Sequence, residues 1–248
     1  MPAHQVGDLL VGLHQRNNDT AATPDAAVGW YAWETVLFTA GTAAFVAGET
    51  LTQGAVTATI VRVDRTSGTW GSDAAGFLTI RSRAGGNFAA GAATSASGAA
   101  TLSAAQVGRF FGAGASSIFA WKIAATTSEV WGDWVQGGRR QVWVFRNAAI
   151  GVRNGSSVAS GTSVAWPELQ NIQGPALVGG GLFCNTAQVA MTGKGPTGWT
   201  ERAANAGGGN FAADTNVTYL NSFAGEGGKT IDTASIHTVG VFSVRAAA

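Results

Sequence analysis

The sequence has little cysteine, histidine, proline or charge. Its 248 residues include one Cys, three His and five Pro, and only 12% of them are charged. A single cysteine, Cys184, excludes an intramolecular disulfide. The formal net charge is +1 and no run of five like charges occurs. We therefore expect neither nucleic acid nor an acidic membrane surface as a partner.

The segments that direct export or span a membrane are also missing from the sequence. The start, MPAHQVGDLLVGLHQR, has no basic region followed by a long apolar run, which a signal peptide requires. No stretch of 18 apolar residues occurs, so no membrane-spanning helix is expected. We predict synthesis in a cytoplasm without a signal peptide.

Residue types that carry metal and catalytic chemistry are scarce and scattered. His4, His14 and His237 lie far apart, whereas a zinc site needs three or four suitably spaced ligands. The Asp residues near the N-terminus lack the spacing of an EF-hand loop, and no Gly-x-Ser-x-Gly elbow occurs. We predict no metal, no cofactor and no catalytic residue. A pair of glycosidase carboxylates stays open as an alternative, because only their separation in space defines it.

Glycine and large apolar residues are abundant. There are 36 Gly and 9 Trp, and 46% of the residues are hydrophobic. Short runs rich in Val, Ile, Phe and Trp alternate with glycine-rich turns, which is typical of β-strands and not of helices. The predicted strands include residues 8–15, 77–81, 117–124, 141–146, 181–191 and 236–245. We predict an all-β fold, a β-sandwich or jelly roll.

One region differs from the rest in composition and contains an internal repeat. Residues 36–105 have few aromatics, and FVAGETLTQGAVTATIVRVD (45–64) is followed by a weaker version, FAAGAATSASGAATL (88–102). We predict that Phe45 anchors a small core there and that Gly48 shapes a turn. Residues 36–105 are then a β-hairpin module inserted into a sandwich made of residues 1–35 and 106–248. Deleting the module should leave a sandwich that folds.

One loop-like segment combines aromatic and cationic side chains. WGDWVQGGRR contains Trp131, Trp134, Arg139 and Arg140. Trp and Arg are enriched at the centres of protein interfaces, and aromatic faces also stack on sugars. We predict these four residues as a partner or glycan contact; core packing is the alternative for the two tryptophans.

Several motifs resemble those of a known group of proteins. They are GDLLVGLHQRN, a TPDAAVGW loop, AWKIAA, VWVFRN, GPTGWTERA and SIHTVGVFSVR. Together they resemble bacteriophage virion surface proteins with a jelly-roll or lectin-like sandwich. The Phe-x-x-Gly-Glu hairpin followed by GFLTI (76–80) is similar to a module of phage head and tail appendages. The second copy departs from it, with Ala92 where the first has Glu49.

The resemblance implies a non-enzymatic structural protein located in the virion. It would be a capsid decoration protein, a head spike or a short tail component that assembles with other capsid or tail proteins. By analogy it would be a homo-oligomer, with a trimer as the favoured state, and it could contact a host-surface glycan. The alternative is a carbohydrate-binding tail adhesin, a receptor-binding protein whose site contains Trp131, Trp134 and Arg139. A depolymerase enzyme is the third hypothesis.

Overall fold

The computed structural model describes residues 1–16, 29–103, 109–112 (backbone only), 115–130, 139–172, 174–207 and 209–247. These residues form eighteen β-strands and no helix, which confirms the predicted all-β class. The strands are β1 (Leu9–Arg16), β2 (Tyr31–Ala32), β3 (Glu34–Ala43), β4 (Thr50–Gln53), β5 (Val56–Ser67), β6 (Ala74–Ala84), β7 (Gly91–Thr94), β8 (Ala99–Leu102), β9 (Arg109–Gly112), β10 (Ala115–Ile123), β11 (Arg139–Phe145), β12 (Ala148–Val158), β13 (Ser163–Trp166), β14 (Ala176–Cys184), β15 (Thr200–Asn205), β16 (Asn210–Asp214), β17 (Glu226–Thr230) and β18 (His237–Ala246). Accordingly, none of the described segments contains a helix that could cross a membrane.

The chain divides into two compact units. The first, called here the sandwich unit, comprises Met1–Trp30 and Arg109–Ala248. The second, called the barrel unit, is Tyr31–Gly108 and contains the whole of the predicted module.

Two antiparallel sheets pack face to face in the sandwich unit. In the first sheet β1 lies between β10 and β11, and β9 pairs with β10. The second sheet has the order β12-β18-β14-β16-β15. The ring of Phe242 lies 5.4 Å from that of Phe119 and 5.0 Å from that of Trp143 (centroid distances), so β18 packs directly on the first sheet. The arrangement is that of a β-sandwich.

An interior strand of the second sheet was predicted correctly. Apolar residues on both faces of residues 236–245 predicted a strand in the middle of a sandwich. In the structure β18 lies between β12 and β14, and its residues 237–244 are buried.

Three consecutive glycines in β14 make room for large side chains of its neighbours. A Cβ atom at Gly179 would lie 2.7 Å from the Phe242 ring, and one at Gly180 would lie 2.8 Å from the Trp166 ring. Both distances are shorter than carbon atoms tolerate. Glycine in this strand therefore serves close packing of the core.

Two predictions about strands in this sheet were wrong. The strand predicted at residues 181–191 instead spans Ala176–Cys184. The serine-rich segment 154–163 was interpreted as a loop, but residues 154–158 belong to β12. Gly and Ser have low strand propensity, yet pairing with β18 stabilises both segments, and such tertiary pairing overrides local preference.

The barrel unit is a closed barrel of six strands. Its order is β3-β6-β5-β4-β7-β8, and β8 returns to pair with β3. Phe38, Leu51, Ile60 and Leu78 fill the interior with 1% exposure or less. Closure pairs both edges, so none of the six strands is left with a free edge for unwanted pairing.

One face assignment in the barrel was wrong. Strict alternation along residues 56–63 predicted that Val63 points away from the face shared by Ala58 and Ile60. The structure has a register shift between Ile60 and Arg62, after which Val63 packs against the core. The extra residue of a β-bulge reverses the alternation, and a sequence pattern does not reveal where a bulge occurs.

The two copies of the hairpin motif bind each other. The Glu49 carboxylate of the first copy accepts hydrogen bonds from the Ser95 hydroxyl (2.5 Å), the Ser97 hydroxyl (2.5 Å) and the Ser97 amide (3.1 Å). The Gln53 side chain donates to the Ala89 carbonyl (3.0 Å) and accepts from the Ala89 amide (2.9 Å). Phe45 anchors the core as predicted. The two copies of the repeat therefore stabilise each other within the six-stranded barrel.

Glu49→Gln is expected to destabilise the barrel and to change its response to acid. The hydroxyls of Ser95 and then Ser97 lower the pKa of Glu49 below its ordinary value of 4.5. This stabilisation is present above that value and is lost as the pH falls through the lowered pKa. Glutamine removes the charge, so the variant should be less stable at pH 7 and should lose less stability between pH 5 and pH 3. Amide hydrogen exchange in residues 45–60 and 88–102 measures both effects.

The double variant with Ser95→Ala supplies the control for this prediction. If the contact is the cause, adding Ser95→Ala to Glu49→Gln should have a smaller effect than Ser95→Ala has in the wild type. Additive effects, or an acid response that Glu49→Gln leaves unchanged, would contradict the assignment.

Candidate functional site

One end of the sandwich unit contains two neighbouring grooves. Each has a volume of about 510 Å³, and they share Val144, Phe145 and Leu177 as lining residues. They occur at this end because β11 finishes and β14 begins here. We call them the Trp143 groove and the Arg146 groove, after a residue that lines only one of them.

The Trp143 groove combines an aromatic side chain with polar ones. It is lined by Pro2, Val142, Trp143, Val144, Phe145, Leu177, Arg202, Asp214, Thr215 and Asn216. Arg202 contacts both carboxylate oxygens of Asp214, from Nη2 at 2.7 Å and from Nε at 2.9 Å. The hydrogen bonds that Arg202 donates to Asp214 raise the pKa of the Arg202 guanidinium above its ordinary value. This fixed, planar pair offers hydrogen-bonding groups beside an apolar surface, as sites for small polar ligands do.

The Arg146 groove lies where the chain passes from the first sheet to the second. Its lining residues are Val144, Phe145, Arg146, Asn147, Ala148, Pro175, Leu177, Thr218, Val244, Arg245 and Ala246. Arg146 and Asn147 alone connect β11 to β12, and Asn147 has a positive φ of 47°. Asn tolerates this conformation better than most residues. The tight connection places the exposed Arg146 side chain at the end of the sandwich.

Exposed apolar side chains occur at the same end. Ile123 and Phe145 both lie opposite Leu9 in the register of the first sheet, and Ile123 is 47% exposed. Val217 directly precedes the groove residue Thr218 in the sequence, and Leu220 follows it by two residues. Val217 is 63% exposed and Leu220 is 61% exposed. Apolar side chains in contact with water beside a groove are candidates for an interaction surface. We call Ile123, Val217 and Leu220 the apolar end.

Of the four residues predicted as a contact site the structure describes two, Arg139 and Arg140, and neither lines the grooves. Trp131 and Trp134 lie outside the described residues. Arg139 and Arg140 begin β11, whereas the grooves lie at its other end, roughly 20 Å away at about 3.3 Å per residue. Arg139 is exposed and Arg140 is half-buried. Their role as a partner contact stays a prediction.

Arg140 lies beside a buried histidine. It is opposite His14 in the register of β1 and β11. Burial, followed by the charges of Arg140 and Arg16, lowers the pKa of His14 to about 4. His14 is therefore neutral near pH 7 and adds no charge to this end of the sheet.

Trp199, in the GPTGW motif, packs within an aromatic cluster. Its ring lies 5.7 Å from that of Trp166 and 5.3 Å from that of Phe223. The Trp166 indole donates a hydrogen bond to the Lys194 carbonyl at 2.8 Å. The motif thus fixes the loop that precedes β15, and Trp199 is half-buried by its neighbours.

The described residues offer little chemistry for metal binding or nucleophilic attack. No group of three or more His, Cys, Asp or Glu in this part of the chain could hold a metal ion. Burial raises the pKa of the Cys184 thiol to about 12, so it stays protonated and unreactive near pH 7.

Comparisons of the chain with protein-family models, with curated proteins and with solved structures gave no match. The function is therefore inferred from the residues of the site and from the motifs of the sequence.

Proposed function

We propose that the chain is a non-enzymatic structural protein of a bacteriophage particle, displayed on the virion surface. The sandwich unit would be a jelly roll, and the barrel unit its inserted module. The protein would act as a capsid decoration, a head spike or a short tail component through contacts with other virion proteins. A homotrimer fits such a component, and light scattering should then give about three times the 25.1 kDa mass of the chain.

The apolar end of the sandwich is the observation that carries this proposal. Ile123, Val217 and Leu220 are 47%, 63% and 61% exposed at the end of the sandwich that also contains the two grooves, and apolar side chains beside a concave surface suit contact with a partner. The low charge of the chain, 12%, suits close packing against neighbouring subunits. The phage-like motifs agree with this interpretation, since GDLLVGLH is a buried sandwich strand and the Phe-x-x-Gly-Glu hairpin holds the barrel together.

Charged substitutions at the apolar end should block assembly into particles. We expect Val217→Asp with Leu220→Asp to lower the amount of protein in purified particles by about tenfold or more, because burying an unpaired charge at an interface costs several kcal/mol. Quantitative mass spectrometry of particles from complemented infections measures this. Val189→Asp is the matched control, because Val189 is 84% exposed but lies beyond the opposite end of β14. Equal incorporation of all three proteins, or absence of the wild type from particles, would contradict the proposal.

A carbohydrate-binding adhesin is the second candidate, and the Trp143 groove favours it. The half-buried Phe145 ring lines this groove together with the fixed Arg202–Asp214 pair and the Asn216 amide, a combination that can bind both the apolar face and the hydroxyls of a sugar. A glycan array and purified host polysaccharides test this role. Binding to any of them supports it, and no binding to any counts against it.

A further inference from the structure

The Arg146 groove contains positive charge without an acidic partner. Arg146 and Arg245 both line it, and its lining contains no Asp or Glu in the part of the chain that the structure describes. Within the described part of the chain neither guanidinium takes part in a salt bridge, whereas Arg62, Arg83 and Arg202 each do. Two cations in one groove attract an anion, and guanidinium groups bind carboxylates with two parallel hydrogen bonds.

The rest of the lining suits a sugar ring. Phe145 and Leu177 provide an apolar wall, while the Asn147 amide and the Thr218 hydroxyl can bind hydroxyl groups. Phe145 is half-buried and Arg146 is exposed, so a ligand can reach both. The volume of about 510 Å³ lies within the range of roughly 300–1,000 Å³ that small-molecule sites occupy.

We propose that the Arg146 groove binds a carboxylate-bearing sugar of an acidic polysaccharide. The inference rests on the second candidate function, and it places the charged part of the ligand in the groove next to the Trp143 groove, with which it shares Val144, Phe145 and Leu177. The guanidinium groups of Arg146 and Arg245 would bind the carboxylate, and the ring would lie against Phe145. An acidic peptide offers the same carboxylates, but extended peptides usually add along the edge of a strand. This groove lies across the ends of β11, β14 and β18.

Titration calorimetry with the full chain and a pair of matched saccharides tests the proposal. The probes are an oligogalacturonate, its methyl ester, in which a methyl group on each carboxylate removes the charge, and an oligoglutamate peptide. We expect the acid to bind about tenfold or more tightly than the ester, since charge-assisted hydrogen bonds are about twice as strong as neutral ones. Arg146→Gln and Arg245→Gln should each weaken binding of the acid by about tenfold or more.

Arg65→Gln is the matched control, because it removes the same charge from an exposed arginine of the barrel unit that lines neither groove. It should leave the affinity unchanged. Arg146 is exposed, so Arg146→Gln should keep the wild-type unfolding midpoint and decides the outcome if Arg245→Gln does not fold.

Three results would overturn the proposal. Equal affinity for the acid and the ester would leave a neutral-glycan site, in which case the adhesin role survives without this inference. Tighter binding of the peptide, with the same dependence on Arg146, would make the groove a peptide site. If no probe binds, the inference fails, and the glycan array decides separately on the adhesin role.

Discussion

Phe242→Ala is expected to lower the free energy of unfolding of the sandwich unit by about 3–5 kcal/mol, the usual cost of removing a buried aromatic ring. Phe242 is fully buried, and its ring packs against Phe119, Trp143 and Phe145 with centroids 5.0–6.0 Å apart. Removing it would leave a cavity between the two sheets that the surrounding strands can close only in part. Urea unfolding followed by tryptophan fluorescence measures the change.

Val189→Ala is the control for Phe242→Ala. Val189 is 84% exposed, so the substitution should change the free energy by less than about 0.5 kcal/mol. If Phe242→Ala changed the free energy of unfolding as little as Val189→Ala does, the packing of the two sheets against each other would be contradicted. A full loss of folding would agree with the prediction, because many domains have a stability of only about 5–15 kcal/mol.

Phe45→Ala is expected to destabilise the barrel unit by about 3–5 kcal/mol. Phe45 is 5% exposed, and its ring lies 5.9 Å from Phe38 and 6.0 Å from Trp70. It also covers Gly98 in the second copy of the motif, where a Cβ atom would lie 2.2 Å from the Phe45 ring. Loss of the ring therefore weakens both hairpins together. Amide hydrogen exchange across residues 45–60 and 88–102 measures the loss of protection.

Val46→Ala is the matched control for Phe45→Ala. Val46 is the next residue in the same motif but is 49% exposed, so protection should stay close to that of the wild type. If Phe45→Ala left residues 88–102 fully protected while 45–60 exchanged, the two copies would not form one cooperative barrel.

The strands with strong apolar patterns could be predicted from the sequence, because burial on both faces leaves a local signature. Residues 236–245 show this, and β18 lies between two other strands of its sheet. Barrel closure could not be predicted, since β3 pairs with β8 through Phe38 and Leu102, which are distant in sequence. Nothing in the local pattern of either strand specifies its partner.

The grooves could not be predicted from the sequence either. They form where β11 ends, β14 begins and β18 ends, so Phe145, Leu177 and Arg245 meet only in the folded chain. A sequence shows where Trp and Arg lie close together along the chain, and this pattern predicts Arg139 and Arg140 as contact residues. It does not show which arginines share a concave surface that lacks acidic residues, as Arg146 and Arg245 do.

Immunogold electron microscopy of intact particles tests the central claim most directly. Antibodies raised against the full chain should label the outside of wild-type particles at repeated positions on the head or the tail. Particles made with the Val217→Asp and Leu220→Asp variant should carry little label, while those with Val189→Asp should be labelled like the wild type. Unlabelled intact particles from infections in which the protein is made would contradict a role as a virion surface component.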